Sequence, residues 1–153
     1  MPTTAEPVIR PMIESDLDAV LVIEQTSFSS PWKRDHFLHE IAVPHSHPFV
    51  AECGGVIAGY VCLTSLFEEA HILNIAVDPG MRGRGIARML LERSFSLARE
   101  KGAEVMALEV RALNAAAITL YEQCGFTRTG LRQKYYEASE DAILMEKNLK
   151  ETP

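Results

Sequence analysis

The chain has 153 residues, 47% hydrophobic and 24% charged, ordinary globular usage that excludes a disordered chain and predicts a single domain over 1–153. Its net charge of −6 excludes bulk nucleic-acid binding, which needs a surface of Lys and Arg. No apolar run approaches the ~20 residues of a membrane span, and no charged segment followed by an apolar one opens the chain, so neither a membrane nor a signal peptide is expected. The three cysteines, Cys53, Cys62 and Cys124, form no CxxC pair, which argues against a disulfide framework or zinc knuckle and for a reducing, cytoplasmic setting.

Charge is uneven. Residues 82–101 carry Arg82, Arg84, Arg88, Arg93, Arg99 and Lys101 against only Glu92 and Glu100. A basic segment in an acidic chain predicts an anionic ligand there and a cationic partner elsewhere.

Val8–Met12 reads as a first strand. Ser15, with Asp18 three residues on, predicts a helix start whose apolar stripe is Leu17, Val20 and Leu21, followed by Glu24. Ser30-Pro31 predicts a second helix, serine as N-cap and proline at the first position, with Phe37, Leu38 and Ile41 inward. Pro48–Cys53 and Val56–Ser65 form a hairpin about Gly54-Gly55. Ala70–Val77 is a strand stopped by Asp78-Pro79. Arg84–Lys101 is a helix closed by Gly102, and Val105–Val110 is a strand. A short helix runs from Asn114 to Cys124 and ends at Gly125. Strands follow near Phe126–Gln133 and Ala142–Lys147. This order implies a mixed α/β sheet.

The most informative stretch is Ile75-Ala76-Val77-Asp78-Pro79-Gly80-Met81-Arg82-Gly83-Arg84-Gly85-Ile86-Ala87-Arg88. A strand ends, glycines turn the chain and a helix begins, so backbone N–H groups point at whatever lies before the helix. Arginines add charge and paired donors. Arg88 excludes the dinucleotide fingerprint, and the absence of Gly-Lys-Ser/Thr excludes a Walker loop. The turn suits a phosphate without naming its owner, and a tight strand–helix turn that binds nothing has the same sequence.

Glu109 is the one charged residue within the apolar strand Val105–Val110. Either it pairs with an arginine such as Arg111 or Arg132, or it is a general base whose environment is tuned by burial. Tyr121, on the inward stripe of the short helix, is either core with a satisfied hydroxyl or an acid. Asn114 is a good N-cap. Glu24 is either the solvated edge of its stripe or an acidic group at the rim of a cleft. Tyr135 and Tyr136 are either an ordinary aromatic loop or a cover over a bound chain. His36, His39, His45 and His47 lack the further ligands of a recognised zinc spacing, so no metal is expected.

Arg82-Gly83-Arg84-Gly85-Ile86-Ala87 resembles the Gln/Arg-x-x-Gly-x-Gly/Ala signature of the GNAT acetyltransferases, and Asn74–Pro79 resembles the cofactor strand ahead of it. The run from Leu108-Glu109-Val110-Arg111 through Asn114 to Leu120-Tyr121-Glu122, with Gly125-Phe126, Tyr135-Tyr136 and Glu140–Met145, is similar to the bacterial ribosomal-protein-alanine branch of that family. The resemblance covers about Val8 to Leu149. It implies the GNAT α/β fold, a mixed, mostly antiparallel sheet with a central splay and helices on both faces. It implies acetyl-CoA as cosubstrate, held by Ile75, Ala76, Val77, Arg82, Gly83, Arg84, Gly85, Ile86, Ala87, Arg88 and Asn114. It further implies Glu109 as general base, Tyr121 as general acid, and Glu24, Tyr135 and Tyr136 at the acceptor. The implied acceptor is a protein N-terminus, that of a ribosomal protein, and the implied state is a monomer or weak dimer. Position 81, commonly aromatic in that branch, is Met81. An acetyltransferase for a small amine or a lysine side chain, a non-catalytic acetyl-CoA sensor and a nucleotide-binding interaction domain are the alternatives.

Overall fold

A computed structural model of the protein describes residues 6–133, 135 and 140–150. The elements in chain order are β1 (Val8–Pro11), α1 (Leu17–Ser27), α2 (Arg34–Ala42), β2 (Ser46–Cys53), β3 (Val56–Leu66), β4 (Glu69–Val77), α3 (Ile86–Glu100), β5 (Val105–Arg111), α4 (Ala115–Gln123), β6 (Thr127–Arg132) and β7 (Ala142–Asn148). The strands hydrogen-bond in the order β1-β2-β3-β4-β5-β7-β6. Every expected element is present, and the mixed α/β sheet follows from one parallel pair, β4 with β5, among antiparallel ones. No helix among the described residues is long and apolar enough to cross a membrane.

Two compact units can be distinguished, Met1–Thr64 with Asn74–Ser94, and Ser65–Leu73 with Phe95–Pro153. In the first, α1 and α2 cover β1–β3 through a core of Leu17, Val20, Ile23, Phe37, Val50, Tyr60 and Cys62. Gly54 and Gly55 carry φ of 56° and 83°, the left-handed pair that a two-residue hairpin turn needs. In the second unit, β4 pairs with β5 over three residues, ending at His71–Ala107, and β5 pairs with β7 along its whole length. Its interior is built on Phe126, whose ring lies 5.8 Å from Phe95 and 5.9 Å from Tyr121.

Both helix starts expected near the N-terminus are displaced. Ser15 lies inside a single 3₁₀ turn, Glu14–Asp16, and does not cap α1. Asp16 organises this corner instead, accepting from the Ile13 amide at 2.9 Å and from both terminal nitrogens of Arg10. The second helix begins at Arg34, and neither Ser30 nor Pro31 belongs to it. The segment before it is tied to α1, the Trp32 amide donating to the carboxylate of Glu24 at 2.9 Å, and the extended backbone of Lys33 (φ −95°, ψ 168°) sets the start one residue later.

Candidate active site

In the first unit, β4 stops at Val77, where the Asp78 amide donates to Ala58 at 2.7 Å. A 3₁₀ turn over Pro79–Met81 leads to Arg82, whose Nε folds back onto the Val77 carbonyl at 3.1 Å. Gly83 and Gly85 then carry φ of +80° and +78°, with nothing within 4 Å of either missing Cβ. The Gly85 carbonyl accepts from Met89 at 3.0 Å, so Gly85 caps α3. The amides of Ile86, Ala87 and Arg88 fall in the first turn, where a helix offers no acceptor of its own. A 15-residue helix therefore aims its positive end at an open space bordered by exposed Arg82, Arg84 and Arg88. Ile75 is half-buried and Ala76 and Val77 are buried. Gly59 on β3 makes this possible, because a Cβ there would stand 2.8 Å from the Ala76 carbonyl oxygen.

Glu24 is neither a solvated edge nor an open rim. It is 1% exposed, and both oxygens are occupied. Oε1 accepts from Tyr60 Oη and from Asn74 Nδ2 at 2.6 Å; Oε2 accepts from the Trp32 amide. A carboxylate on the apolar stripe of α1 turns inward with that stripe, and the inward face supplies donors. Burial, and then the bond to Glu24, push the Tyr60 phenol well above its usual range. Tyr60, Asn74 and Trp32 were not anticipated as its partners. Their one sequence signal is a tyrosine inside the apolar run Ala58–Leu63, whose hydroxyl requires a partner when buried.

In the second unit, β5 alternates buried Met106, Leu108 and Val110 with half-buried Ala107, Glu109 and Arg111. Glu109 is thus on the more open face of this largely apolar strand, with 25% of its side chain exposed. Arg132 Nη2 stands 3.4 Å from its Oε1, so the arginine pairing weighed from the sequence exists. Tyr121 is buried on α4 and meets Phe126 edge-on. Asn114 caps α4, its Oδ1 accepting from the Ala117 amide at 3.2 Å. Tyr135 is exposed, its ring 4.7 Å from the Arg132 guanidinium, and Tyr136 lies outside the described residues.

The remaining candidates have structural places. His36 stacks on Trp32 with ring centroids 3.6 Å apart. Cys53 and Cys62 are buried. Burial, with Glu40 and Glu24 nearby, holds the Cys62 thiol above its ordinary range, which keeps it protonated and unreactive.

Residues 17–126 match the model of the acetyltransferase (GNAT) family. This chain belongs to the GNAT acetyltransferases. The ribosomal protein bS18-alanine N-acetyltransferase of Escherichia coli K12 is 37% identical over 134 residues, 86% of this chain and 90% of its own length. The N-alpha-acetyltransferase RimI of Mycobacterium tuberculosis is 37% identical over 97% of each chain. The crystal structure of the Escherichia coli ribosomal-protein-S18-alanine N-acetyltransferase shares the fold with a TM-score of 0.87, at 33% identity over 97% of both chains. The GNAT match spans Glu24, the glycine-arginine turn, Glu109 and Tyr121, and ends before Arg132 and Tyr135.

Proposed function

We propose that this GNAT acetyltransferase moves the acetyl group of acetyl-CoA to the N-terminal α-amine of a protein, preferentially the alanine of a small-subunit ribosomal protein. We take residues 1–153 as one catalytic domain working in the cytoplasm. The observation that carries the proposal is sustained identity, 37% over 86% of the chain, to a protein named for that reaction.

The turn after β4 fits a pyrophosphate. Open space surrounds Gly83 and Gly85, and main-chain donors and three arginines border it. In this reading Arg82, Gly83, Arg84, Gly85, Ile86, Ala87 and Arg88 hold the phosphates. The backbone of Ile75, Ala76 and Val77 holds the pantetheine arm as an added strand would. Asn114 contributes the amide end left over from its capping role. Acetyl-CoA, when bound, supplies an activated acetyl group and a thiolate leaving group.

The protein's own residues then manage protons. A protonated amine has no lone pair, so Glu109 takes a proton from it, directly or through water, and frees the nitrogen to attack. Tyr121 gives its phenolic proton to the departing sulfur. Tyr135 and Tyr136 bind the acceptor backbone, and the acidic balance outside residues 82–101 suits a cationic protein tail.

A panel of short peptides differing at the first residue, with products assigned by mass spectrometry, tests the acceptor. Transfer confined to lysine ε-amines would sink it. Glu109→Gln should keep acetyl-CoA binding while turnover falls ~10²–10⁴-fold. Turnover unchanged between about pH 6 and 9 would remove Glu109 from the role of base.

A further inference from the structure

Strand register brings Glu109 and Arg132 together. Across β5–β7, Glu109 lies opposite Leu144 and Arg111 opposite Ala142; across β7–β6, Gly130 lies opposite Leu144 and Arg132 opposite Ala142. Directly paired residues share a face, so Glu109, Arg111 and Arg132 stand on one side of the sheet, with Arg132 two strands across from Arg111 and its long side chain reaching back over β7 to Glu109. Two arginines flank small Ala142, and like charges separate. Arg111 turns to Glu140, 3.3 Å away, and Arg132 turns to Glu109.

The Arg132–Glu109 contact is loose. At 3.4 Å it is longer than the about 2.7–2.9 Å of a charge-assisted hydrogen bond. Water reaches both partners, 52% of the arginine side chain and 25% of the glutamate being exposed, and such pairs hold weakly. While pairing with Glu109 the same guanidinium also rests on the face of Tyr135, 4.7 Å away. Finally, arginine keeps its proton at every working pH. Glu109 is therefore covered by a cation that can never give it a proton.

We propose that Arg132 occupies the place of the acceptor's α-ammonium, and that an incoming ammonium displaces it from Glu109 while Tyr135 goes on holding it. The inference rests on the reading of Glu109 as the base. It adds that the same carboxylate first selects the acceptor by charge, against a built-in competitor. An ammonium is more compact than a guanidinium and can approach to full hydrogen-bond distance. The displaced arginine changes only its side-chain conformation and keeps an aromatic partner. Acceptors lacking a cationic amine gain nothing at Glu109 and leave Arg132 in place.

The test uses the full chain and a short peptide with a free N-terminal alanine, varied at saturating acetyl-CoA. Calorimetry of the same peptide is run alongside in the presence of CoA. An exposed pair of this kind is worth up to about fivefold in binding. Arg132→Gln should therefore lower the acceptor KM and the calorimetric Kd about fivefold. Arg132→Lys, which keeps a cation, should stay within about twofold of the parent. A KM that rises would make Arg132 a binding residue for the acceptor, and one that does not move would make the contact an ordinary surface ion pair. Either result overturns the proposal. If the parent protein acetylates no α-amine, the functional reading fails by itself, and the calorimetric comparison still decides whether Arg132 competes with the peptide.

Discussion

Replacing Glu24 by alanine tests the buried cluster directly. The substitution strands three donors, Tyr60 Oη, Asn74 Nδ2 and the Trp32 amide. A buried donor left without a partner costs ~1–3 kcal/mol. Tyr60 is fully buried and belongs at the upper end, while Asn74 and Trp32 are half-buried and belong at the lower end. Relief of carboxylate desolvation offsets part of the loss, leaving ~3–4 kcal/mol. Glu24→Gln keeps the volume and one accepting oxygen but turns an NH₂ toward a donor, so ~1–2 kcal/mol is expected. Tyr60→Phe removes one of three donors and should cost a similar ~1–2 kcal/mol. Because the two side chains touch, the double variant should depart from additivity by ~0.5–3 kcal/mol. Urea unfolding followed by circular dichroism and by fluorescence measures these values. Trp32, the sole tryptophan, reports on the cluster itself. A Glu24→Ala protein within ~0.5 kcal/mol of the parent, the range of an ordinary surface substitution, would show that the three hydrogen bonds are not what fixes this corner.

Further outcomes are expected elsewhere. Gly85→Ala and Gly102→Ala should each lose ~1–2 kcal/mol in urea unfolding, since both glycines have left-handed backbone and open surroundings. Only Gly85→Ala should also weaken CoA binding, by about tenfold, the equivalent of one lost main-chain contact; equal losses of affinity in both would take the ligand away from the turn. Gly59→Ala should destabilise by ~1–3 kcal/mol, because its Cβ meets the backbone of β4 and not a yielding side chain. Calorimetry should show its affinity for acetyl-CoA falling with that shift of β4, and undiminished affinity would separate β4 from the cofactor. The Arg10 guanidinium, and next to it the Ile13 amide, hold the Asp16 carboxyl below its usual range. Its folded value is depressed, so its stabilisation is present above the ordinary aspartate range and is lost as pH falls through the folded value. Urea midpoints should therefore drop more steeply below about pH 4 in the parent than in Asp16→Asn, and parallel curves would contradict this.

The elements legible in the sequence are those set by neighbours a few residues apart. Gly54-Gly55 must turn, Gly102 and Gly125 must close helices, Asn114 must cap, and the short apolar run Val105–Val110 must be a strand; each is found where local chemistry puts it. The glycine-arginine turn belongs to the same class, since strand, left-handed glycines and helix start lie within about a dozen residues. The environment of the acidic candidates was not legible. Glu24 meets Tyr60 and Asn74 across 36 and 50 residues of chain, and Glu109 meets Arg132 only through the register of two further strands.

Such contacts also override local rules. Ser30-Pro31 carries the marks of a helix start, yet α2 begins at Arg34, and Trp32 is held by the buried carboxylate of Glu24 in an extended lead-in. Local sequence therefore determined the elements and the glycine-arginine turn. Which carboxylate is shut away and which stays within reach of solvent was decided by packing between distant segments, because burial is a property of the surroundings and not of the residue.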